Sequence, residues 1–276
     1  YSLAMENGAS PCDLAPNVQK TYMVAGRPWT PRNANRRRYG QMVTLKWGLA
    51  QSNNWISAYL MSRLNPNQFV SILHKFGISN PDIHPSMSLC LGPCEVSVAE
   101  MVSAYTTFAN NGIRVSPMFV TRIEDNEGNV ISTFQPRMNE VISSTSAYKM
   151  LVELMAVVDE GTAGRLRYKF DMKGEIGGKT GTTNNNSDAW FMGFTPQLVT
   201  GVWVGGEDRD IHFDSTQMGQ GATMALPIWA YYMKKVYRDP HLPYRPDATF
   251  DVPADFNPCE KDDGGTGDFG IDDVYE

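Results

Sequence analysis

Each residue type in Lys179-Thr180-Gly181-Thr182 has a chemical task if the segment is extended. Side chains alternate along a strand, so the hydroxyls of Thr180 and Thr182 share one face and together could hold a carboxylate. Gly181 has no side chain, which lets the backbone of a ligand come close. Lys179 adds a positive charge that favours an anionic ligand and can hold a neighbouring hydroxyl or amine in one protonation state. A second polar run, Ser52-Asn53-Asn54, lies far upstream, where a helical pattern breaks. A serine and an amide at such a turn can relay a proton and bind an acyl-amide group. Taken singly, each run also fits a plain structural role: an exposed strand lysine in one case, a helix cap in the other.

The surrounding pattern predicts elements able to carry these side chains. Residues 1–8 read as the last turns of an apolar helix closed by Gly8, and the proline-rich stretch up to about residue 40 reads as a long surface loop. Thr44 is a candidate N-cap for a helix through Leu45 and Leu49, and a second helix carries Ile56, Leu60 and Leu64 on one stripe. Asn65-Pro66 opens a third, and Ser97-Val98-Ala99-Glu100 has capping-box spacing before Met101, Val102, Tyr105 and Phe108. A hairpin is predicted across Asp125-Asn126-Glu127-Gly128-Asn129, and a helix from Ser144 or Thr145 carries Leu151, Val152 and Met155 toward Gly161. Residues 176–183, 189–194 and 198–204 read as adjacent antiparallel strands, and 226–236 as a closing helix. Helices, then a sheet, then a covering helix make an α+β fold.

The chain has 276 residues, 42% hydrophobic and 20% charged, enough for a packed core. Its net charge of −6 argues against nucleic acid as a partner, and Arg36-Arg37-Arg38 reads as a solvated surface loop. No apolar run is long enough to span a bilayer. Cys12, Cys90, Cys94 and Cys259 contain no C-x-x-C pair and the histidines are scattered, so no metal site and no cofactor is expected. Cys90 and Cys94 could close a small disulfide or remain buried thiols. Gly161 to Gly164 and Gly174 to Gly178 match neither nucleotide-binding glycine pattern.

S-x-x-K, S-D-N and K-T-G together mark penicillin-binding proteins and class A β-lactamases, and the two runs here have the order of the latter two motifs. The likeness extends over LKWGLAQSNN (45–54), LGPCEVSVAEMVSAYTTFANNGIRVSP (91–117), DEGTAG (159–164), GGKTGTTNNNSDAWFMGFTPQLVTGVWVGG (177–206) and ALPIW (225–229). Over residues 1–240 the chain resembles the transpeptidase domain of bifunctional, class A penicillin-binding proteins. That resemblance implies an antiparallel sheet flanked by helices and a serine acyl-enzyme mechanism. It divides the chain into a partial transpeptidase domain, 1–240, and a C-terminal extension, 241–276, whose acidic Gly/Asp-rich end is expected to be disordered.

Carried over by residue, Ser52 corresponds to the proton-relay serine, Asn54 to the amide that orients the substrate and the motif lysine, and Lys179 to the electrostatic lysine. Thr180 and Thr182 correspond to the carboxylate-binding hydroxyls, beside Gly181, and the backbone N–H of Thr182 to one oxyanion-hole donor. The S-x-x-K nucleophile is expected upstream of residue 1, together with the early strands, which would leave this fragment inactive by itself. The one Ser-x-x-Lys present, Ser146-Ala147-Tyr148-Lys149, follows the S-x-N run and opens an amphipathic helix, where a small polar residue is ordinary. Implied partners are peptidoglycan stem peptides, β-lactam antibiotics and the preceding part of the same chain. The implied location is the periplasmic face of the inner membrane, with the anchor, and a glycosyltransferase domain, outside these residues. The alternatives are a hydrolase of the D,D-carboxypeptidase or β-lactamase type, and a non-catalytic module that binds stem peptides.

Overall fold

The computed structural model describes residues 1–34 and 36–260. The Gly/Asp-rich end, residues 261–276, lies outside the described residues.

The chain opens with α1 (Ser2–Glu6), whose Leu3, Ala4 and Met5 are buried, and continues into β1 (Leu14–Pro16), β2 (Tyr22–Val24), β3 (Arg27–Trp29) and β4 (Met42–Thr44). The early prolines do exclude helices, but this region is not simply a surface loop. β2 pairs with β3, and β1 pairs with β4 so that buried Ala15 faces buried Val43. Three-residue strands are too short to leave a period-2 pattern, which is why they were not legible in the sequence.

Four helices follow the expected caps closely. Thr44 accepts from Trp47 N and starts α2 (Leu45–Ala50), and Asn53 accepts from Trp55 N and Ile56 N to start α3 (Asn54–Ser62). Asn65 and Pro66 open α4 (Pro66–Lys75). The reciprocal Ser97–Glu100 box starts α5 (Val98–Ala109), and its hydrogen bonds to the carboxylate lower the Glu100 pKa to about 2. Then β5 (Ile113–Val115), β6 (Arg122–Glu124), β7 (Val130–Thr133) and β8 (Met138–Glu140) form two small ladders, β5 with β8 and β6 with β7, the latter being the expected hairpin.

Next comes α6 (Ser144–Asp159), capped by Ser143 and buried on most of its surface, followed by the single turn α7 (Arg165–Tyr168). β9 (Gly177–Thr182), β10 (Asp188–Phe194) and β11 (Val199–Gly205) form an antiparallel sheet in the order β11-β10-β9. The short α8 (Thr216–Gly219) precedes α9 (Ala225–Arg238). α6 is packed between the helical half, through Leu151 and Leu154, and the sheet half, through Val157 and Val158. On the sheet, Trp229 of α9 stacks edge-on to Phe191 of β10 and is fully buried. An aromatic side chain of that size removes about 150–250 Å² from water, a gross gain of roughly 4–6 kcal/mol.

Residues 241–260 return to the body. Phe250 contacts Phe194, Phe256 contacts Tyr148, and Phe250 N donates to Glu175 Oε2 at 2.6 Å. Cys12 and Cys259 form a disulfide with their Cα atoms 5.3 Å apart, while Cys90 and Cys94 are free thiols. Their spacing of four drew attention to Cys90 and Cys94, yet the bonded pair is separated by 247 positions and only the fold brings it together.

Candidate active site

The two motifs selected from the sequence meet in space. Lys179 Nζ donates to Ser52 Oγ at 2.8 Å and to Thr180 O at 2.9 Å. Lys179 is half-buried in β9, and desolvation lowers its pKa from 10.5 to about 8, so near neutral pH the ammonium is charged and can donate. The partner hydroxyl is held in an unusual place. Ser52 is exposed and has a φ of +52°, in the left-handed region that costs a non-glycine residue free energy and needs support from around it.

That support is a network of asparagines. Asn53, buried and following Ser52, caps α3 with Oδ1 and donates Nδ2 to Asn17 Oδ1 at 2.9 Å. Asn33 donates to Asn53 Oδ1 at 3.1 Å and accepts from Asn54 N at 2.7 Å. Asn54 Nδ2 donates to Arg32 O at 2.6 Å, so this side chain faces the 31–33 segment, and the lysine reaches the serine of the motif instead. Buried amides left unsatisfied would each cost about 1–3 kcal/mol, so the network holds the turn in one conformation.

The β9 hydroxyls also have partners within the protein. Thr180 Oγ1 lies 2.7 Å from Thr162 Oγ1, and Thr182 Oγ1 accepts from Gly221 N at 3.1 Å, which leaves the Thr182 proton available to another acceptor. Thr162 belongs to the turn after α6, and its N–H donates to Ala50 O at 3.0 Å, tying α2, α6 and β9 together just before Ser52. Gly161 permits that approach: a Cβ there would overlap Ala50 O and lie 2.8 Å from Ala50 C. Gly221 permits another beside Gly181, where a Cβ would meet Trp190 O and lie 2.6 Å from Gly181 O. Neither Thr162 nor Gly221 was singled out from its residue type. DEGTAG, which contains Thr162, was noticed only as part of a resemblance.

Ser146 and Lys149 are buried on α6, with 3% and 1% of their surfaces exposed. A nucleophile must reach its substrate, and this pair is enclosed by the core. Among the described residues no cluster of His, Cys, Asp or Glu could hold a metal ion, and no helix is long and apolar enough to cross a membrane.

Comparison with known proteins gives this geometry a family. The penicillin-binding protein transpeptidase domain model matches residues 1–207. Penicillin-binding protein 1A of Aquifex aeolicus is 36% identical over 230 residues, covering 83% of this chain and 30% of that protein. The protein of the same name from Neisseria lactamica is 33% identical over 242 residues, covering 85% and 30%. The chain therefore spans about a third of the length of the curated relatives it matches. Among solved structures, penicillin-binding protein 1A of Haemophilus influenzae superposes with a TM-score of 0.81 at 26% identity, covering 92% of this chain and 42% of that one. PonA1 of Mycobacterium tuberculosis in complex with penicillin V superposes at 0.73 with 24% identity, covering 91% and 69%, a likeness of fold. With the S-x-N serine held on the K-T-G lysine in an α+β fold shared with these proteins, the chain belongs to the penicillin-binding protein transpeptidase domain family.

Proposed function

We propose that this chain carries the substrate cleft of a D,D-transpeptidase that cross-links peptidoglycan through a serine acyl-enzyme. The observation that carries the reading is the 2.8 Å hydrogen bond from Lys179 Nζ to Ser52 Oγ, which joins two motifs 127 residues apart into one proton-handling unit. With Ser146 enclosed by the core, the attacking serine comes from a Ser-x-x-Lys outside these 276 residues. Its hydroxyl attacks the penultimate D-alanine carbonyl of a stem peptide and its proton passes by way of Ser52 to the departing nitrogen. The peptide C–N bond breaks and D-alanine leaves with that proton. An amine of a neighbouring stem peptide then attacks the ester carbonyl: the new C–N bond forms, the ester C–O bond breaks, and a proton of that amine passes to the departing serine oxygen.

Each residue named from the sequence has a task in that scheme. Lys179 keeps Ser52 oriented and supplies positive charge near the substrate carboxylate, which the hydroxyls of Thr180 and Thr182 receive. Among the described residues β9 pairs only with β10, so its other edge is available to an extended peptide, and Thr182 N–H serves as an oxyanion donor; Gly181 lets β9 pass close to Trp190, whose Cβ would lie 3.0 Å from an added Cβ. Asn54 turns its amide to the acyl-amide group when substrate displaces the Arg32 contact. β-Lactams imitate the D-Ala-D-Ala unit and remain as slow acyl adducts. Residues 1–240 form part of the catalytic unit, at the outer face of a bacterial inner membrane, and 241–260 brace it through the Cys12–Cys259 bond.

The test is intact-protein mass spectrometry after penicillin treatment of the longest natural protein that carries this chain. One adduct on a serine outside residues 1–276, lost in Lys179→Ala and strongly slowed in Ser52→Ala, supports the scheme. A folded protein that takes no adduct defeats it and leaves a non-catalytic stem-peptide module in its place.

A further inference from the structure

We infer that Asp188, at the start of β10, is a positioning residue of the same cleft: its carboxylate clasps the β9–β10 turn so that the Thr182 N–H is aimed at the reacting carbonyl; this rests on the acyl-transfer reading above. The direction of that N–H follows from the ladder. Thr183 N donates to Asp188 O at 3.1 Å, across to β10. Along an antiparallel strand successive residues turn their N–H and C=O groups to opposite edges, so the Thr182 N–H points to the edge of β9 away from β10. Thr180 O lies on that same edge, where it accepts from Lys179 Nζ at 2.9 Å. An N–H on a strand edge is aimed only as well as the end of the strand is held.

Asp188 holds that end at three points. Oδ2 accepts from Ser187 Oγ at 3.0 Å and from Thr183 Oγ1 at 3.2 Å, and Oδ1 accepts from Trp203 Nε1, in β11, at 2.9 Å. Its own N–H donates to Thr183 Oγ1 at 2.9 Å, and the Thr183 and Ser187 hydroxyl oxygens lie 2.9 Å apart. One side chain thus joins the residue that follows β9, the turn and the outer strand of the sheet. The indole it anchors packs against Trp190, with ring centroids 6.5 Å apart, and Trp190 lies against Gly181, whose added Cβ would be 3.0 Å from the Trp190 Cβ.

The turn needs such a clasp. Asn185 and Asn186 have φ values of +65° and +58°, a left-handed conformation that non-glycine residues keep only where their surroundings fix them. On the far side Asn186 is tied to Phe213, its Nδ2 donating to Phe213 O at 3.1 Å and its O accepting from Phe213 N at 3.4 Å, and Gly221 N donates to Thr182 Oγ1 at 3.1 Å. Thr183 adjoins Thr182, so a turn released from Asp188 rotates the peptide unit between them first. An oxyanion donor is effective only within hydrogen-bond reach of the point where the charge develops, which makes Thr182 sensitive to that rotation.

The test follows acylation of the longest natural form of the protein by a fluorescent penicillin, over concentrations that separate the first-order acylation constant from the apparent Kd. Asp188→Ala should lower the acylation constant at least about tenfold and change the apparent Kd less than about threefold, because an oxyanion donor acts on charge that develops in the transition state and its full loss costs about a hundredfold to a thousandfold. Asp188→Asn should stay within about threefold of wild type, since its Oδ1 can accept from Trp203 and its Nδ2 donate to the two hydroxyls. Thr183→Val and Trp203→Phe each remove one arm of the clasp and should fall between, and they carry the test if Asp188→Ala does not fold. Acylation constants of the folded variants within about twofold of wild type overturn the inference, as does a loss confined to the apparent Kd or an Asp188→Asn protein as slow as Asp188→Ala. If the wild type takes penicillin and these variants take it equally fast, only this inference falls. A folded wild type that takes no penicillin adduct removes the acyl-transfer reading and this inference with it.

Discussion

Replacing Gly161 with alanine tests whether the turn after α6 holds the cleft together. The added Cβ would overlap Ala50 O and come within 2.9 Å of Val157 Cα, and both neighbours are backbone, which has no rotamer to escape into. Relief requires the turn to back away from α2, and the Thr162 N to Ala50 O bond of 3.0 Å is the first contact to lengthen. Overpacking of this kind costs about 1–3 kcal/mol and the lost hydrogen bond about 1 kcal/mol, together about 3 kcal/mol. For a domain of this size that corresponds to a fall in Tm of roughly 6–12 °C. The same movement pulls Thr162 from Thr180, 2.7 Å away between hydroxyl oxygens, and shifts Ser52 relative to Lys179. A misplacement of about 1 Å can lower a rate about a hundredfold, so acylation by a fluorescent penicillin should slow well beyond what unfolding explains. Thermal melting and the acylation rate would be measured beside Gly164→Ala. Gly164 is helical, at φ −53°, and its added Cβ would meet only Gly161 O at 3.3 Å and side-chain or more distant atoms, so this control should be neutral or slightly stabilising. Equal Tm values for the two variants, with unchanged acylation, would refute the reasoning.

Four further outcomes can be measured. Burial brings the Lys179 pKa down to about 8, so penicillin acylation should fall about tenfold per pH unit above that value, and a flat rate between pH 7 and 9.5 would contradict the role given to its ammonium. Stability runs in the opposite sense: from pH 8 up to the ordinary lysine value of 10.5 the unfolded state binds more protons, so this residue's contribution makes the protein more stable as pH rises there, a slope that Lys179→Met should remove in denaturant titrations. Breaking the Cys12–Cys259 bond, by reduction or by Cys259→Ser, should cost about 2–4 kcal/mol and speed proteolysis after residue 240; identical digestion patterns in both redox states would show that the aromatic contacts of Phe250 and Phe256 alone hold the segment. Asn53→Ala removes an N-cap acceptor and the donor to Asn17 together, an expected loss of about 2–3 kcal/mol with slower acylation, whereas a drop of less than about 0.5 kcal/mol in urea titration would mean that water replaces the network.

Much of this protein was legible before any coordinates. Caps at Thr44, Asn65 and Ser97 are local: one side chain meets a backbone N–H two or three residues on, so residue identity suffices to place the helix start. The three strands of the sheet were readable for a similar reason, since runs of apolar and β-branched residues between turn formers keep their meaning wherever the chain goes. Lys179, Thr180 and Ser52 stood out because their chemistry belongs to the residue type.

What remained hidden depends on distance across the fold. No spacing rule links Cys12 to Cys259, Thr162 to Thr180, Asn17 to the backbone of Arg37 and Arg38, or Gly161 to Ala50, because each partner is chosen by the packing of elements remote in sequence. Residue types alone therefore determined which side chains could do chemistry and which of the longer segments would be helix or strand, but not the three-residue strands between residues 14 and 44. Tertiary structure decided that Lys179 reaches Ser52 while Asn54 turns to Arg32, and that Asn17 clamps the backbone of Arg37 and Arg38 beside the Ser52 turn, because hydrogen bonds and burial are settled only where the chain folds back upon itself.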